Sequence, residues 1–305
     1  MKKLPILLIG IILLSNVFGC SVEERLFSAT QFIDENDQPY GIEQNDNRPV
    51  VVTPDYMLMV AAGEIPGKSN VNKSGRNIKI DAGVTADIWD GGHTGNISLI
   101  WVAPTAPRVH DIASSHPSDT AAGPGARTIR IAGLRTWATP EVTETHTLNG
   151  RTNVATGKFV IIHHMEVITK GGTAVNVGAI TATARTDNTV TAMIQPAEGQ
   201  THMAIIGIPS GESAYATSMH ASILSANTTG AADIRMLFNP EPDTELVNFI
   251  TRQTAGLIAG GSSNVQHQYN PFKMAAGPAI IKAQATSSAN DNDISAGFEL
   301  IIANN

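Results

Sequence analysis

Hydrophobic and polar residues alternate over short stretches through most of this chain, and turn-forming residues separate the stretches. Residues 127–131 read Arg-Thr-Ile-Arg-Ile, which is the two-residue period of a half-buried strand. Residues 179–184 and 189–194 flank Asp187-Asn188, and this arrangement predicts a β-hairpin. Further strands are predicted at 97–103, 158–170, 203–208, 214–224, 234–238, 279–285 and 298–302. The predicted helices are few and short, with one at 245–252.

Short strands at this spacing favour an all-β fold with one or two antiparallel β-sandwich or jelly-roll-like domains. Residues 21–50 differ from the rest, because they are polar and acid-rich and precede a short apolar run at 50–60. We therefore predict a leader and an extended arm ahead of the β domains, which are either separate or continuous. The predicted segments are a leader at 1–19, a polar tether at 20–50, an arm at 51–95, a β-sandwich at 96–198 and a β-sandwich at 199–305.

Composition narrows the function classes. The chain has a net charge of −7, a pI of about 5.7 and 15% charged residues, which argues against a basic nucleic-acid binder. A single Cys excludes a Cys-ligated zinc domain and a disulfide scaffold. Aromatic residues make up only 5% of the chain, so its core buries modest area per residue. We expect self-association to supply further apolar burial.

The first twenty residues have the order of a secretory signal. Lys2 and Lys3 precede an apolar run at 4–14, and Val17-Phe18-Gly19 leads to Cys20. A small residue before the Cys is what a bacterial lipoprotein signal requires, so Cys20 is the predicted lipidation residue and a possible membrane anchor. The other interpretation is a hydrophobic segment that stays on the chain and packs in an assembly.

Few residue patterns indicate catalysis or ligand binding. Residues 62–69 fit a loose phosphate-loop pattern, but the Asn- and Gly-rich stretch after Ser69 is a poor helix. His164 and Glu166 alternate onto one face of a predicted strand and His163 onto the other, which is too few ligands for a metal. Asp90 to His93, His110-Asp111, His116 to Asp119 and the calcium-loop-like start at Asp291 carry polar groups without a complete motif. We predict no catalytic residue, no cofactor and no metal site.

A series of segments resembles virion structural proteins of tailed, often marine, bacteriophages. The resemblance covers roughly residues 63–305 in the same order, and the ordered set is fairly specific although no single segment is diagnostic. The segments are 65–77, 88–90, 112–115, 118–131, 133–134, 147–150, 176–181, 198–201, 239–243 and 295–298.

The resemblance implies a non-enzymatic, β-rich particle protein that decorates the head or joins tail components as an oligomer. Its implied partners are other copies of itself and other virion proteins, and its implied location is the virion. The leader departs from the family's pattern. A lipid-anchored bacterial surface protein that binds a carbohydrate or a receptor, placed at the outer membrane or cell surface, is therefore the alternative. A secreted hydrolase on a β scaffold is the third hypothesis.

Overall fold

The computed structural model describes residues 54–93, 97–225, 230–258 and 262–305. The fold reported below is that of the unit Leu58–Asn305. The predicted leader, its Cys20 and the polar tether lie outside the described residues.

Strands make up 60% of the structure and helix 3%, so the predicted all-β, sandwich-like fold with antiparallel sheets is confirmed. Helix α1 spans Pro54–Ala61, and a short 3-10 helix spans Asp90–His93. The strands are β1 (Lys68–Ile80), β2 (Thr85–Asp87), β3 (Arg108–Ser114), β4 (Ala126–Leu134), β5 (Val142–Thr147), β6 (Val154–Phe159), β7 (Ile161–Lys170), β8 (Ile180–Ala184), β9 (Thr189–Ile194), β10 (Ile205–Ile208), β11 (Glu212–Ser225), β12 (Ala231–Asn239), β13 (Ile250–Ile258), β14 (Ser262–Ala276), β15 (Ala279–Ser287) and β16 (Asn292–Asn304).

Two sheets made mostly from the C-terminal half form the first sandwich. Sheet A has the order β1-β16-β11-β14, and sheet B has the order β10-β15-β12-β13 with β2 added beside β15. Alternate residues of each strand point inward, so Ile234 and Ile281 of sheet B pack in one core with Phe298 and Leu300 of sheet A. We call this unit the AB sandwich.

The middle of the chain forms the second sandwich. Sheet C has the order β6-β3-β8-β9, and sheet D has the order β5-β4-β7. Ile129 and Ile131, from the alternating stretch recognised in the sequence, are fully buried and share a core with Phe159 and Ile180. The predicted hairpin is present, because β8 and β9 pair antiparallel. We call this unit the CD sandwich.

The segment 51–95, predicted as an extended arm, is part of the AB sandwich from Lys68 onward. Strand β1 pairs along its length with β16, and β2 pairs with β15. Ile80 and Ile88 are fully buried in the same core as the C-terminal strands. The alternation in β1 was hidden in the sequence because most of its inward positions carry polar residues or glycine.

The helix predicted at 245–252 is wrong. The chain turns there and enters strand β13 at Ile250. Ile250 and Thr251 are β-branched and favour extended backbone, and the edge of β12 offers them hydrogen-bond partners. Leu246 and Phe249 still bury part of their side chains against the CD core, which explains the helix-like spacing of apolar residues.

A buried ion pair ties β2 to β15. The side chains of Asp87 and Lys282 are 0% and 2% exposed, and Lys282 Nζ lies 2.6 Å from Asp87 Oδ2. The Trp101 amide and the Gln284 side-chain amide also donate to the Asp87 carboxylate. The Lys282 ammonium sits 4.0 Å from the ring centroid of Phe249, so an aromatic face covers its other side. Both charges are therefore satisfied within the protein.

Replacing Asp87 with Ala leaves the Lys282 ammonium buried without its counter-ion. We expect Asp87→Ala to lower the free energy of unfolding by about 3–5 kcal/mol, the usual cost of breaking a buried pair from one side. Chemical denaturation followed by circular dichroism measures this loss. Lys79→Ala is the control, because Lys79 and its partner Asp291 are both exposed. A similar loss for the two variants would contradict a special role for the buried pair.

Candidate functional site

Five of the ten segments that carry the resemblance meet in space at one end of the CD sandwich. Residues 112–115, 118–131, 147–150, 176–181 and 198–201 are far apart in sequence, yet backbone hydrogen bonds join them. Gly150 donates to the carbonyl of Asp119 at 2.8 Å, and Leu148 donates to the carbonyl of Arg127 at 2.8 Å. Asp119 lies at the centre of these contacts, and we call the arrangement the Asp119 network.

The Asp119 carboxylate is fully buried and receives four hydrogen bonds. Ser114 Oγ donates to Oδ2 at 2.6 Å, and the Gly178 amide donates to the same oxygen at 2.8 Å. The amides of Ala126 and Val177 donate to Oδ1 at 2.8 Å and 2.9 Å. One side chain thus holds the start of β4, the end of β3 and the loop before β8 in fixed relation.

Glycine is required where the loop between Asp119 and β4 passes close to the carboxylate. A Cβ at Gly125 would lie 2.1 Å from Asp119 Oδ1, and one at Gly123 would lie 2.1 Å from the carbonyl oxygen of Ser118. No side chain fits at either position. The Gly-rich stretch between Asp119 and Arg127 is therefore explained by close packing around the carboxylate.

Asn176 extends the network to the turn before the 198–201 segment. Its side-chain amide donates to the carbonyls of Gly178 at 2.8 Å and Gln195 at 2.7 Å. Its side-chain oxygen accepts from the Gly199 amide at 3.0 Å. Asn176 is fully buried, so its hydrogen-bonding capacity is used to hold backbone in place.

A second cluster of polar groups lies where the two sandwiches meet. Lys73 of β1 is buried and donates to the carbonyl of His163 in β7. His163 is also buried, and its Nε2 lies 2.5 Å from Glu141 Oε2. Burial lowers the pKa of Lys73 to about 8, although Glu141 acts in the opposite direction. Burial also lowers the pKa of His163, against the pull of the Glu141 carboxylate.

A polar cleft of about 180 Å³ opens beside Lys73. It lies between β1 and the 200–203 segment, and His164 forms part of its wall. Burial, aided by the Lys73 ammonium, lowers the pKa of His164 to about 4, so its ring is neutral at physiological pH. Thr201 Oγ1 lies 3.4 Å from His164 Nδ1 and accepts from the Met165 amide. Other polar groups in the wall bond to residues outside it, since Asn72 donates to Glu299 and His202 contacts Glu198.

Asp90 borders the same junction. The His202 amide donates to Asp90 Oδ2 at 2.8 Å. Burial nevertheless raises the pKa of Asp90 to about 7, and the neighbouring Glu198 carboxylate adds to this effect. Asp90 thus holds the 198–203 segment near β1.

The phosphate-loop pattern at 62–69 has no helix to complete it. Strand β1 begins at Lys68, so the backbone after Ser69 is extended and presents no helix N-terminus to a phosphate. Residues 62–67 form the turn that leads into this strand.

The histidine and acid pairs singled out in the sequence serve internal contacts. His164 and Glu166 do lie on one face, 3.8 Å apart, and Glu166 also accepts from Arg130 Nε at 2.7 Å. His110 packs edge-on against Phe159. Within the described ranges, no group of three or more His, Cys, Asp or Glu side chains is placed to hold a metal ion.

The acidic turn at 291–293 resembles a calcium loop in sequence only. Asp293 accepts from Arg76 Nε at 3.0 Å, and Asp291 faces Lys79 at 3.5 Å. Asn292 is buried and donates to Ser287 Oγ at 2.5 Å. The Asp291 and Asp293 carboxylates thus face cationic side chains of the protein.

Sequence reasoning missed the buried charges Asp87, Lys282 and Lys73. A usable signal existed for Lys282, since it stands alone among apolar residues in Ala279-Ile280-Ile281-Lys282-Ala283. A lone lysine in such a strand requires a buried counter-ion. No comparable pattern marks Lys73, which lies among other polar residues in β1.

Removing the Asp119 carboxylate should destabilise the CD sandwich strongly. Asp119→Ala leaves the buried amides of Ala126 and Gly178 and the half-buried amide of Val177 without acceptors. At about 1–3 kcal/mol for each buried group, we expect a loss of at least about 2 kcal/mol in the free energy of unfolding. Asp291→Asn is the control, because Asp291 is exposed and Asn tolerates its positive φ of 55°. Urea denaturation compares the two variants, and equal stability would refute the central role of Asp119.

The same carboxylate predicts a pH dependence. Burial acts to raise the pKa of Asp119, but hydrogen bonds from Ser114, Val177, Gly178 and Ala126 outweigh it, and the net pKa lies below its ordinary value. The ionised form therefore stabilises the fold above the unfolded-state pKa of about 3.9, and this stabilisation is lost as pH falls through the folded-state pKa. Denaturation at pH 6 and below about pH 4 should show a smaller wild-type advantage over Asp119→Ala at the lower pH.

The comparisons with known proteins are sparse. No protein-family model matches the chain, and no curated protein matches it. In the part of the chain that the structure describes, no helix has the length and apolar character needed to span a membrane.

Several solved structures are weakly similar. A lipoprotein of Bacteroides thetaiotaomicron is 11% identical, with 74% of this chain and 98% of that chain covered and a TM-score of 0.19. The infectious bursal disease virus Gx strain structure is 11% identical, with 77% and 69% covered and a TM-score of 0.22. The VP2 subviral particle of that virus is 10% identical, with 82% and 78% covered and a TM-score of 0.18. Because these TM-scores are low, the likenesses carry no argument about what the chain does.

Proposed function

We propose that this chain is a non-enzymatic structural protein of a virus particle of the tailed-phage type. It decorates or joins particle subunits through β-sheet packing. Its partners are further copies of itself and other virion proteins, and its location is the virion.

The observation that carries this proposal is the convergence of the resembling segments on the Asp119 network. Three of these segments, 112–115, 118–131 and 176–181, bond to one buried carboxylate. Two more join them through the backbone carbonyl of Asp119 and the side chain of Asn176. Their shared residue types therefore serve the rigidity of one sandwich end. A particle protein requires such rigidity, because its surfaces must meet neighbours in a fixed geometry.

The state of the polar groups supports a role without catalysis. A catalytic carboxylate needs an open side toward substrate, whereas Asp119 and Asp87 are enclosed by protein donors. The ring of His164 is neutral at physiological pH and lies beside Thr201, and His163 Nε2 is hydrogen-bonded to the Glu141 carboxylate. These groups stabilise strands and the junction between the sandwiches.

A lipid-anchored bacterial surface protein is the second candidate. Cys20 behind a cationic and apolar leader is the observation that favours it. In this form the polar segment 20–50 would act as a tether, and the β domains would bind a carbohydrate or a receptor. The two candidates differ in where the mature chain is found.

Fractionation of a producing culture tests the proposal. Particles purified on a density gradient should contain the chain at a constant ratio to the major capsid protein, measured by quantitative mass spectrometry. The membrane fraction of the same culture is the control. Presence in the membrane fraction and absence from particles would refute the virion assignment and favour the surface protein.

Fatty-acid labelling tests the predicted role of Cys20. A bacterial host fed a labelled fatty acid should yield labelled wild-type chain, whereas Cys20→Ser should carry no label because the acceptor thiol is gone. Autoradiography of the immunoprecipitated chain measures the difference. An unlabelled wild type that retains residues 1–19 would instead identify the N-terminus as an uncleaved apolar segment.

A further inference from the structure

The two edges of the AB sandwich differ, because the CD sandwich covers one of them. Strand β1 ends sheet A on one side, where the Arg76 amide bonds to the carbonyl of His202 and Lys73 reaches the carbonyl of His163. Strand β10 ends sheet B on the same side, where Gly207 lies against Ile161 and Trp137. The CD sandwich and the chain leading from it cover these two edge strands.

The opposite edge is formed by β13 of sheet B and β14 of sheet A. No strand within the described residues pairs with the outer side of either one. From Gln253 to Ile258 the pairing of β13 with β12 is regular, so its outer backbone groups form an even row. An even row of unpaired N–H and C=O groups is a template for another strand.

Charge does not protect this edge. Residues 253–272 contain no Asp, Glu, Lys or Arg, in a chain that is 15% charged overall. Strand β1, by contrast, carries Lys68, Lys73, Arg76 and Lys79. The charge that precedes the run in β13 is Arg252, and its guanidinium lies over the Phe238 ring, 4.3 Å from the centroid. On the inner side of β13, Asp233 and Arg235 of β12 lie opposite Gly256 and Thr254 and pair with each other. Natural proteins usually place charges on edges that must stay unpaired, so this edge is suited to pairing.

A largely apolar groove of about 430 Å³ lies next to the edge. Gly256 and Ile258 of β13 form one wall, and residues 231–233 of β12 form another. Ile258 is 76% exposed, while Leu257 beside it is buried. A Cβ added at Gly256 would meet no atom within 4 Å, so packing within this chain does not require glycine there. The missing side chain leaves the backbone of β13 accessible at this position.

We propose that β13 pairs antiparallel with β13 of a second copy of this chain, across a two-fold axis at Gly256. This inference rests on the proposed function and names the contact by which the particle protein self-associates. A two-fold pair is self-complementary, so one regular, uncharged edge supplies both sides of the interface. Sheet B then continues from one copy into the next.

The register of the proposed pair is fixed by which residues of β13 share a face. Directly opposite residues in an antiparallel pair share a face. With the axis at Gly256, Thr254 lies opposite the partner's Ile258, and the buried Ala255 lies opposite the partner's Leu257. Each exposed Ile258 is thereby covered beside Gly256, at the mouth of the groove.

Disulfide trapping tests this register. Opposed Cα atoms in an antiparallel pair are about 4.5–5.5 Å apart, within the range of a disulfide. Under mild oxidation the full-length Gly256→Cys chain should form a dimer linked through the introduced thiols, identified by peptide mapping. Gly172→Cys is the matched control, because Gly172 is also exposed with no atom within 4 Å of an added Cβ. The wild-type chain, whose one thiol is Cys20, serves as the control for disulfide linkage through Cys20.

Equal linkage for the two variants would overturn the proposal. A disulfide between the introduced thiol and Cys20 would also overturn it, because the edge would then receive the N-terminal segment of another copy. A linkage through the introduced thiols only in Gly256→Cys would support the two-fold pair.

Sedimentation of the full-length chain gives an independent measurement. Gly256→Lys should weaken dimerisation at least about tenfold, since two like charges would face each other at the axis. Gly172→Lys should leave it unchanged. A wild type that is monomeric at about 100 µM, where a micromolar dimer would be formed, would refute the interface. A chain found in particles but monomeric would refute this inference alone, whereas a dimer absent from particles would refute only the proposed function.

Discussion

A carboxylate removed from water must find all its hydrogen bonds inside the protein, and each sandwich is organised around one such group. In the CD sandwich, Asp119 gathers backbone amides from loops that are distant in sequence. In the AB sandwich, Asp87 joins β2 to β15 through Lys282 and Gln284. The cost of desolvation makes these arrangements specific, because any other loop placement leaves a buried charge unsatisfied.

This constraint matters in a chain with few aromatic residues. The cores are built from Ile, Ala and Met with isolated larger residues such as Phe159 and Phe298, so apolar burial alone defines the loop positions weakly. Directional hydrogen bonds to buried polar groups supply the missing definition at the sandwich ends. The junction between the sandwiches uses the same device, through Lys73, His163 and Asp90.

The rigid interior and the uncharged outer edge belong together in the proposed function. An interface between particle subunits needs strands that hold their shape before contact, since ordering them on binding would reduce affinity. The β13 edge is held by regular pairing to β12, and the opposite side of the AB sandwich is occupied by the CD sandwich. Among the described residues, the β13 edge is therefore left without a paired strand.

Several elements of the fold could be predicted from local pattern. The alternation at 127–131 and the turn residues at 187–188 identified β4 and the β8–β9 hairpin, because period and turn chemistry are local properties. Strand β1 was mistaken for part of an arm, because polar side chains and glycine occupy most of its inward positions and find their partners in distant strands. The helix predicted at 245–252 is wrong because the residues from Ile250 onward form a strand that pairs with the edge of β12.

The sequence by itself therefore determined the all-β class, since side-chain period and turn residues are local properties. The resemblance to virion proteins likewise rests on the order of its segments in the sequence alone. The sequence also showed Cys20 behind a leader and the uncharged run at 253–272. Only the tertiary structure decided that Asp119 is a structural centre, that Asp87 pairs with Lys282, and that the uncharged run lies on an open edge. These facts depend on contacts between residues far apart in the chain, and local pattern carries no information about which distant strands become neighbours.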